Sequence, residues 1–217
     1  MIIHHLEKNN SILNKFISEI RDKNIQKDSL RFRRNIERIG EVLAYELSKN
    51  LNYSETKTTT PLGNKSINLP NKKIVICSIL RAGLPLHQGL LNYFDDADNA
   101  FISAYRHHPN NDAEFEIVVE YFAAPSFDDK ILILADPMLA TGQSLVEVYE
   151  AIKKQRNIEE IHIVAVIGAT EGIEFIKNNF PENTHLWIAA IDDKLNDKGY
   201  IIPGLGDTGD LAFGEKL

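Results

Sequence analysis

The sequence is poor in the residues that build disulfide frameworks and membrane spans. Its 217 residues include one cysteine, one tryptophan and two methionines. The single cysteine, Cys77, excludes an intramolecular disulfide and fits a reducing compartment. No apolar run approaches the ~20 residues that cross a membrane, and residues 1–10 contain no apolar signal core. We therefore expect a cytoplasmic protein that does not bind membranes.

An excess of positive charge is also missing. Lysine and arginine number 24 against 31 aspartate and glutamate residues, so the net charge is −7 and the isoelectric point is about 5.5. Nucleic-acid binding draws much of its affinity from basic surfaces that neutralise phosphates, so we expect no nucleic-acid partner. A small anionic substrate stays possible, because the local field of a site differs from the net charge. The length fits one domain, residues 1–217.

Apolar periodicity predicts an α/β fold. Two helices are expected within about residues 11–51, and further helices at Leu84–Tyr93, Ser144–Gln155 and Gly172–Asn178. Buried strands are predicted at Lys73–Leu80, Ala100–Tyr105, Lys130–Ala135, Ile161–Ile167 and His185–Ile191. Continuous apolar strands that alternate with helices indicate a parallel sheet covered on both faces, and such sheets bind ligands at the carboxyl ends of their strands.

Three segments depart from this alternation. Tyr53–Leu69 is rich in threonine and predicts a β-hairpin or a loop with short strands. A polar insertion at about residues 107–129 contains a possible strand at Glu114–Phe122 and is typical of a mobile β-arm or lid. Residues 200–214 are rich in glycine and predict a loop, in which Tyr200 and Phe213 are expected to pack. The adjacent pairs His4-His5 and His107-His108 lack metal-ligand spacing and are expected to be exposed.

The strongest local motif is Ile131-Leu-Ile-Leu-Ala-Asp-Pro-Met-Leu-Ala-Thr-Gly-Gln-Ser144, which a helical pattern follows. Pro137 keeps Asp136 out of the helical region and starts a turn. Free backbone N–H groups at the start of the helix favour a phosphate, and Gly142 permits its close approach. The motif has neither the spacing of a Walker loop nor that of a dinucleotide-binding Gly-x-Gly-x-x-Gly loop.

Asp136-Pro-Met-Leu-Ala-Thr-Gly142 resembles the loop with which uracil phosphoribosyltransferases bind 5-phosphoribosyl-1-diphosphate (PRPP). The same family is indicated by Ile79-Leu-Arg-Ala-Gly83, by Tyr105-Arg106 and by Tyr200-Ile-Ile-Pro-Gly-Leu-Gly-Asp-Thr-Gly-Asp210. Arg31-Phe-Arg33 and Tyr45-Glu46 are also similar. The resemblance runs from about residue 20 to the end of the chain. It implies a phosphoribosyltransferase-type parallel sheet with flanking helices, a β-arm and a C-terminal base-binding loop.

The resemblance also implies which residues bind each substrate. Those expected to bind PRPP are Arg81, Arg106, Asp136, Pro137, Met138, Leu139, Ala140, Thr141, Gly142, Gln143, Ser144 and Asp207. Those expected to bind uracil are Ile201, Gly206, Asp207 and Thr208, chiefly through backbone atoms. Asp207 and Arg106 are the expected catalytic residues, which act by position and charge.

The implied reaction joins the phosphoribosyl group of PRPP to N1 of uracil and releases UMP and diphosphate. Mg²⁺ is the implied cofactor and arrives with PRPP, because the sequence has no dedicated metal-site spacing. A homodimer or larger homo-oligomer is implied, and GTP activation, found in some relatives, is left open.

Several residues differ from the usual family pattern. Gln143 stands where a glycine is expected, and His107-His108 replaces an acidic pair. Pro85 and His87-Gln-Gly89 also replace the usual residues. The changes at Gln143 and His107-His108 prompt one alternative, a non-catalytic PRPP or nucleotide sensor. A purine or orotate phosphoribosyltransferase is disfavoured by the C-terminal motif, and an RNA-binding attenuator is disfavoured by the acidic isoelectric point.

Overall fold

The computed structural model describes residues 1–107, 116–154, 158 and 160–215; within the strands, the side chains of residues 104–107 and 116–120 are outside this description. His108, which was expected to be exposed, and residues 109–115 of the predicted arm therefore lie outside the described residues. Within these ranges, no helix combines the length and the apolar character that crossing a bilayer requires.

The strands form one large sheet and two small antiparallel pairs. In chain order, the strands of the described ranges are β1 (Ile2–His5), β2 (Tyr53–Thr60), β3 (Gly63–Pro70), β4 (Ile74–Leu80), β5 (Asp98–His107), β6 (Glu116–Ala123), β7 (Ile131–Ala135), β8 (Met138–Leu139), β9 (Glu160–Ala169), β10 (His185–Asp192), β11 (Lys194–Leu195) and β12 (Ile201–Ile202). The large sheet has the order β1-β10-β9-β7-β4-β5-β6, with β8 paired to β9. All its pairs are parallel except β5 with β6.

Helices cover both faces of this sheet. They are α1 (Leu13–Arg21), α2 (Ser29–Ser48), α3 (Leu84–Leu91), α4 (Gln143–Lys153), α5 (Thr170–Asn179) and α6 (Thr208–Phe213), with a 3-10 turn at Leu6–Lys8. Side chains alternate along each strand, so Ile74 and Ile76 of β4 pack towards α1, α2 and α3, whereas Val75 and Cys77 pack towards α4 and α5. The predicted α/β fold with a central parallel sheet is confirmed, and so are the five predicted strands.

Cys77 lies in the middle of this core. Its side chain is fully buried, and burial raises the pKa of the thiol to about 12. The thiol is therefore protonated at neutral pH and acts as a small apolar side chain, as predicted.

The N-terminal strand β1 is absent from the sequence prediction. It pairs with the edge of β10 and places His4 opposite Trp187. The His4 ring stacks on that indole at 3.7 Å between centroids, and its Nε2 lies 3.0 Å from Nδ1 of His185. The expectation that His4 and His5 are exposed is wrong, because strand pairing makes both half-buried.

Two antiparallel extensions leave the sheet region. The predicted hairpin is formed by β2 and β3, whose residues are exposed throughout. The predicted arm is an extension of β5, since β6 pairs with β5 as far as His107 opposite Glu116. Because β4 pairs with β5 only as far as Ser103, the arm begins inside β5, earlier than residue 107.

Helices α2 and α3 touch through two glycines. A Cβ atom added to Gly40 would lie 2.9 Å from the backbone oxygen of Leu86, and one added to Gly89 would collide with the backbone oxygen of Glu37. Neither contact leaves room for a methyl group. The close approach fixes α3, which directly follows the turn of Arg81.

Replacement of Gly89 by alanine is therefore expected to destabilise the fold by about 1–3 kcal/mol, because α3 must move away from α2. Chemical denaturation of Gly89→Ala measures this free energy of unfolding. Gln88→Ala is the matched control, since Gln88 is the exposed neighbour in the same helix, and its effect should stay within about 0.5 kcal/mol. Equal stability of the two variants would contradict the tight helix contact.

Candidate active site

A cleft of about 520 Å³ opens at the carboxyl ends of the strands. Three separate segments of the chain meet there: the turn after β4, the loop after β7 and the C-terminal segment. The predicted site residues that line it are Arg81, Asp136, Met138, Ala140, Ser144, Ile201, Gly206, Asp207 and Thr208. Parallel pairing thus brings together segments that lie far apart in the sequence.

The loop after β7 begins with an interruption of the strand. The backbone nitrogen of Asp136 donates to the oxygen of Val164, and the oxygen of Pro137 then accepts from both Val166 and Ile167. Pairing with β9 resumes at β8. The interruption leaves the Asp136 side chain facing the cleft, where its Oδ1 accepts a hydrogen bond of 3.2 Å from the nitrogen of Met138.

The loop closes on the first turn of α4 and encloses a small pocket of about 40 Å³. Thr141, Gly142 and Ser144 line this pocket, together with Leu139 and Asp136. Gly142 has φ +79 and directly precedes α4. A side chain there would also meet Cγ2 of Ile176 at 2.8 Å, so α5 holds this turn from behind. The first N–H groups of α4 lack partners within the helix and suit an anion in this pocket.

Arg81 occupies the turn between β4 and α3 and reaches towards the C-terminal segment. Its Nη2 donates to the oxygen of Gly214 at 3.1 Å and lies 3.5 Å from Oδ1 of Asp210. Its Nε is buried and has no partner among the described residues. A buried donor without a partner is costly, so this atom favours a ligand in the cleft.

The C-terminal segment is more ordered than a loop. Ile201 and Ile202 form β12, which pairs with β11, and α6 begins at Thr208. Asp207 caps α6, because its Oδ1 accepts from the nitrogen of Asp210 at 3.0 Å. The Thr208 hydroxyl is buried and, within the described part of the chain, unpartnered. The loop predicted at residues 200–214 therefore includes a short strand near its start and a short helix near its end.

Seven residues that line the cleft were not among the predicted site residues: Ile79, Leu80, Ala82, Lys198, Gly199, Tyr200 and Gly209. Lys198, Gly199 and Tyr200 belong to the turn between β11 and β12 and line the mouth of the cleft. Tyr200 was expected to pack but is 44% exposed. Phe213 is also 39% exposed, and the guanidinium of Arg33 lies 5.9 Å from its ring. The sequence feature that could have indicated Lys198 is its position two residues before the C-terminal motif, which starts at Tyr200.

Pro137 and Gln143 are described but are not among the residues that line the cleft or the small pocket. Pro137 is buried and acts through its backbone oxygen. Gln143 starts α4, with its Oε1 3.4 Å from the hydroxyl of Thr141. The backbone of Arg106 lies in β5 opposite Ile117, and its side chain is outside the described part of the chain.

Comparison with known proteins agrees with the motifs and with this geometry. The family model described as uracil phosphoribosyltransferase matches residues 7–215. The chain is 50% identical to the uracil phosphoribosyltransferase of Porphyromonas gingivalis over 217 residues, which is 100% of both chains. It is 40% identical to that of Pyrococcus furiosus over 204 residues, covering 93% of this chain and 85% of the relative. The chain belongs to the uracil phosphoribosyltransferase family.

A solved structure supports the same fold. The AQ2163 protein from Aquifex aeolicus aligns with a TM-score of 0.86 and 31% identity, and the alignment covers 98% of each chain. The resemblance predicted from the four motifs is therefore confirmed. The roles of the individual site residues in this family member remain predictions.

Asp136 is the residue of this phosphoribosyltransferase site whose charge is most affected by its surroundings. Burial raises the pKa of its carboxyl to about 7, and the hydrogen bond from Met138 opposes this shift only in part. Folding therefore shifts this carboxyl towards its neutral form, and both the neutral and the charged forms are populated near pH 7. Between the usual pKa near 4 and about 7, the folded state binds more protons than the unfolded state, so this group's contribution to stability falls as pH rises.

Asp136→Asn should therefore be more stable than the wild type at pH 8, by about 1–3 kcal/mol, and equally stable at about pH 4. The asparagine oxygen still accepts from Met138, so only the ionisation is removed. Thermal unfolding of both proteins from pH 4 to pH 8 tests this expectation. A difference that does not grow with pH would show that Asp136 is not the titrating group.

Proposed function

We propose that this protein transfers the phosphoribosyl group of PRPP to N1 of uracil and forms UMP and diphosphate. The observation that carries the proposal is the cleft in which the phosphate loop, the Arg81 turn and the C-terminal segment meet. Family membership supports the same reaction. The cleft volume of about 520 Å³ suits two small substrates bound side by side.

The phosphate end of PRPP is assigned to the loop before α4. Thr141 and Ser144 supply hydroxyl donors, and the first turn of α4 supplies backbone N–H groups. The carboxylate of Asp136, at the edge of the same pocket, is placed to accept hydrogen bonds from the ribose hydroxyls. With the phosphate and the ribose assigned to this loop, the proposal puts C1 on the side of the C-terminal segment.

The diphosphate end is assigned to Arg81. Its guanidinium binds two oxygens in the fork geometry that phosphates favour, and it stabilises the negative charge that grows as the C1–O bond breaks. Arg106 is assigned the same task on the family pattern. Little proton chemistry is needed, so positioning supplies much of the rate.

The base is assigned to Ile201 and to the segment from Gly206 to Thr208. Uracil has two carbonyls and two N–H groups, which exposed backbone groups recognise in a complementary way. The buried hydroxyl of Thr208 offers one further donor or acceptor in this region. The arm of β5 and β6 is proposed to cover the site and to exclude water, which would otherwise hydrolyse PRPP.

Mg²⁺ fits this site as an ion that comes with PRPP. Among the described residues, no group of three or more histidine, cysteine, aspartate or glutamate side chains could hold a metal. Asp136 and Asp207 line the cleft as oxygen donors, and Mg²⁺ is commonly held by one or two carboxylates together with substrate phosphates. When bound, the ion neutralises charge on the diphosphate.

The direct test is a base panel. Purified protein is mixed with Mg²⁺, PRPP and labelled uracil, cytosine, orotate or hypoxanthine, and nucleotide formation is followed. UMP from uracil alone is the expected result. PRPP binding without any product would favour the non-catalytic sensor. The structural observation behind that alternative is the contact between the side chains of Gln143 and Thr141 in the loop.

Assembly and regulation follow as further proposals from the family pattern. A homodimer or larger homo-oligomer is expected from light scattering at assay concentration. GTP activation is tested by adding GTP to the same assay.

Ser144→Ala should raise the KM for PRPP by about tenfold, because it removes one hydrogen bond to a charged phosphate. The contact exists in both the ground state and the transition state, so kcat should change little. Initial rates at saturating uracil measure both constants. Ser18→Ala is the control, since Ser18 is exposed in α1 and donates only to the oxygen of Lys15. An unchanged KM for Ser144→Ala would remove this residue from the phosphate site.

A further inference from the structure

A buried ion pair outside the cleft holds the C-terminal segment. Arg21, the last residue of α1, donates from Nη1 to Oδ2 of Asp192 at 2.8 Å and from Nη2 to Oδ1 at 2.9 Å. The side chains are 20% and 8% exposed, respectively. Asp192 ends β10, at the same edge of the sheet as the cleft. This fork geometry is the most directional form of an arginine–carboxylate contact.

Both partners also bind the backbone of Gly204. The nitrogen of Gly204 donates to Oδ2 of Asp192 at 3.1 Å, and the oxygen of Gly204 accepts from Nη1 of Arg21 at 3.0 Å. Next to it, Nε2 of Gln26 donates to the oxygen of Leu205 at 3.1 Å and to that of Ile20 at 2.7 Å. We call Arg21, Gln26 and Asp192 the loop brace.

The brace contacts the C-terminal segment between two stretches that line the cleft. Gly204 and Leu205 are buried and stand between Ile201 and the run from Gly206 to Thr208, which line the cleft on either side of them. Gly204 has φ +57, so the segment turns sharply there. No brace residue lines the cleft itself. The brace therefore fixes the middle of the segment, and both flanks face the ligand.

We propose that Arg21 and Asp192 are positioning residues for base recognition. They hold both polar backbone groups of Gly204 and thereby set the places of Ile201 and of the Gly206–Thr208 run relative to bound uracil. This inference rests on the proposed function, because uracil is taken as the ligand of the segment. Among the described residues, the hydrogen bonds of the three brace side chains go to each other, to Ile20 and to Gly204 and Leu205 and not to the phosphate loop, so we expect the brace to affect uracil binding more than PRPP binding.

Two mild variants test the proposal. Asp192→Asn removes the charge that holds both Arg21 and Gly204, and Arg21→Lys keeps a charge but loses the two-pronged fork. The KM for uracil is expected to rise about tenfold or more in Asp192→Asn, because a small displacement of a binding segment is costly, and to rise less in Arg21→Lys. The KM for PRPP should stay within about twofold of the wild-type value.

A double variant separates positioning from stability. Either single removal leaves a buried charge unpaired, whereas Arg21→Met with Asp192→Leu replaces the pair by apolar side chains, which is often neutral for stability. We expect the double variant to regain only the part of the melting temperature that the unpaired charge costs, and to keep the raised KM for uracil, because Gly204 has lost both partners. Recovery of both quantities would overturn the proposal. Arg31→Ala is the matched control, because Arg31 bonds Glu19 at 3.0 Å between α2 and α1 without touching the segment.

Hydrogen exchange of residues 201–208 gives a readout without turnover. The amide of Gly204 should exchange faster in Asp192→Asn, and the amides of α4 should not. A wild-type protein that makes no UMP would count against the proposed function. The exchange result alone would then test whether Arg21 and Asp192 hold the segment in place. An active wild type whose variants keep both KM values, or unchanged exchange in the segment, would overturn the brace.

Discussion

Parallel pairing of β4, β7, β9 and β10 is the constraint on which the site depends. The register aligns Ser78 of β4 with Ala135 of β7, and Ala135 with Val164 of β9. The carboxyl ends of these strands therefore lie at the same edge of the sheet. The central strand β7 stops at Ala135, whereas β9 continues to Ala169 and β10 to Asp192. The early end of β7 leaves a recess in the middle of the edge. The Arg81 turn and the phosphate loop line this recess, and the braced C-terminal segment lies across it.

The recess contains buried polar groups that have no hydrogen-bond partner within the described part of the chain. Within the described chain, Nε of Arg81 and the hydroxyl of Thr208 are buried without partners, and burial raises the pKa of Asp136 to about 7. Each of these arrangements lowers the stability of the free protein. An anion, a base edge and ribose hydroxyls are the partners that would relieve them. Such local costs in an otherwise consistent fold are typical of functional sites.

Much of the fold and part of the site could be predicted from local sequence patterns. The apolar strand Ile131–Ala135 and the residues up to Ser144 form a contiguous strand, loop and helix, so their pattern directly predicted the turn and the helix start that line the small pocket. Phosphate binding in that pocket stays a prediction. The four-residue strand Ile2–His5 gave no periodic pattern, and the short helix α6 was hidden by the glycines around it. The Arg21–Asp192 contact joins residues 171 positions apart. No local pattern could indicate it, because only the folded sheet brings the end of β10 to α1.

The two ends of the cleft are thus built in different ways. The phosphate end needs only a strand that stops at Asp136 and a helix that starts at Gln143, with α5 packed behind Gly142. The segment proposed to bind the base buries Ile201 and Leu205 in the core, and its middle is also held by side chains of α1, of β10 and of the α1–α2 connection. If the base and the phosphoribosyl group bind as proposed, their affinities therefore depend largely on different supporting residues. One link joins the two supports, because Thr170 of α5 donates from its hydroxyl to the oxygen of Asp192 at 3.4 Å.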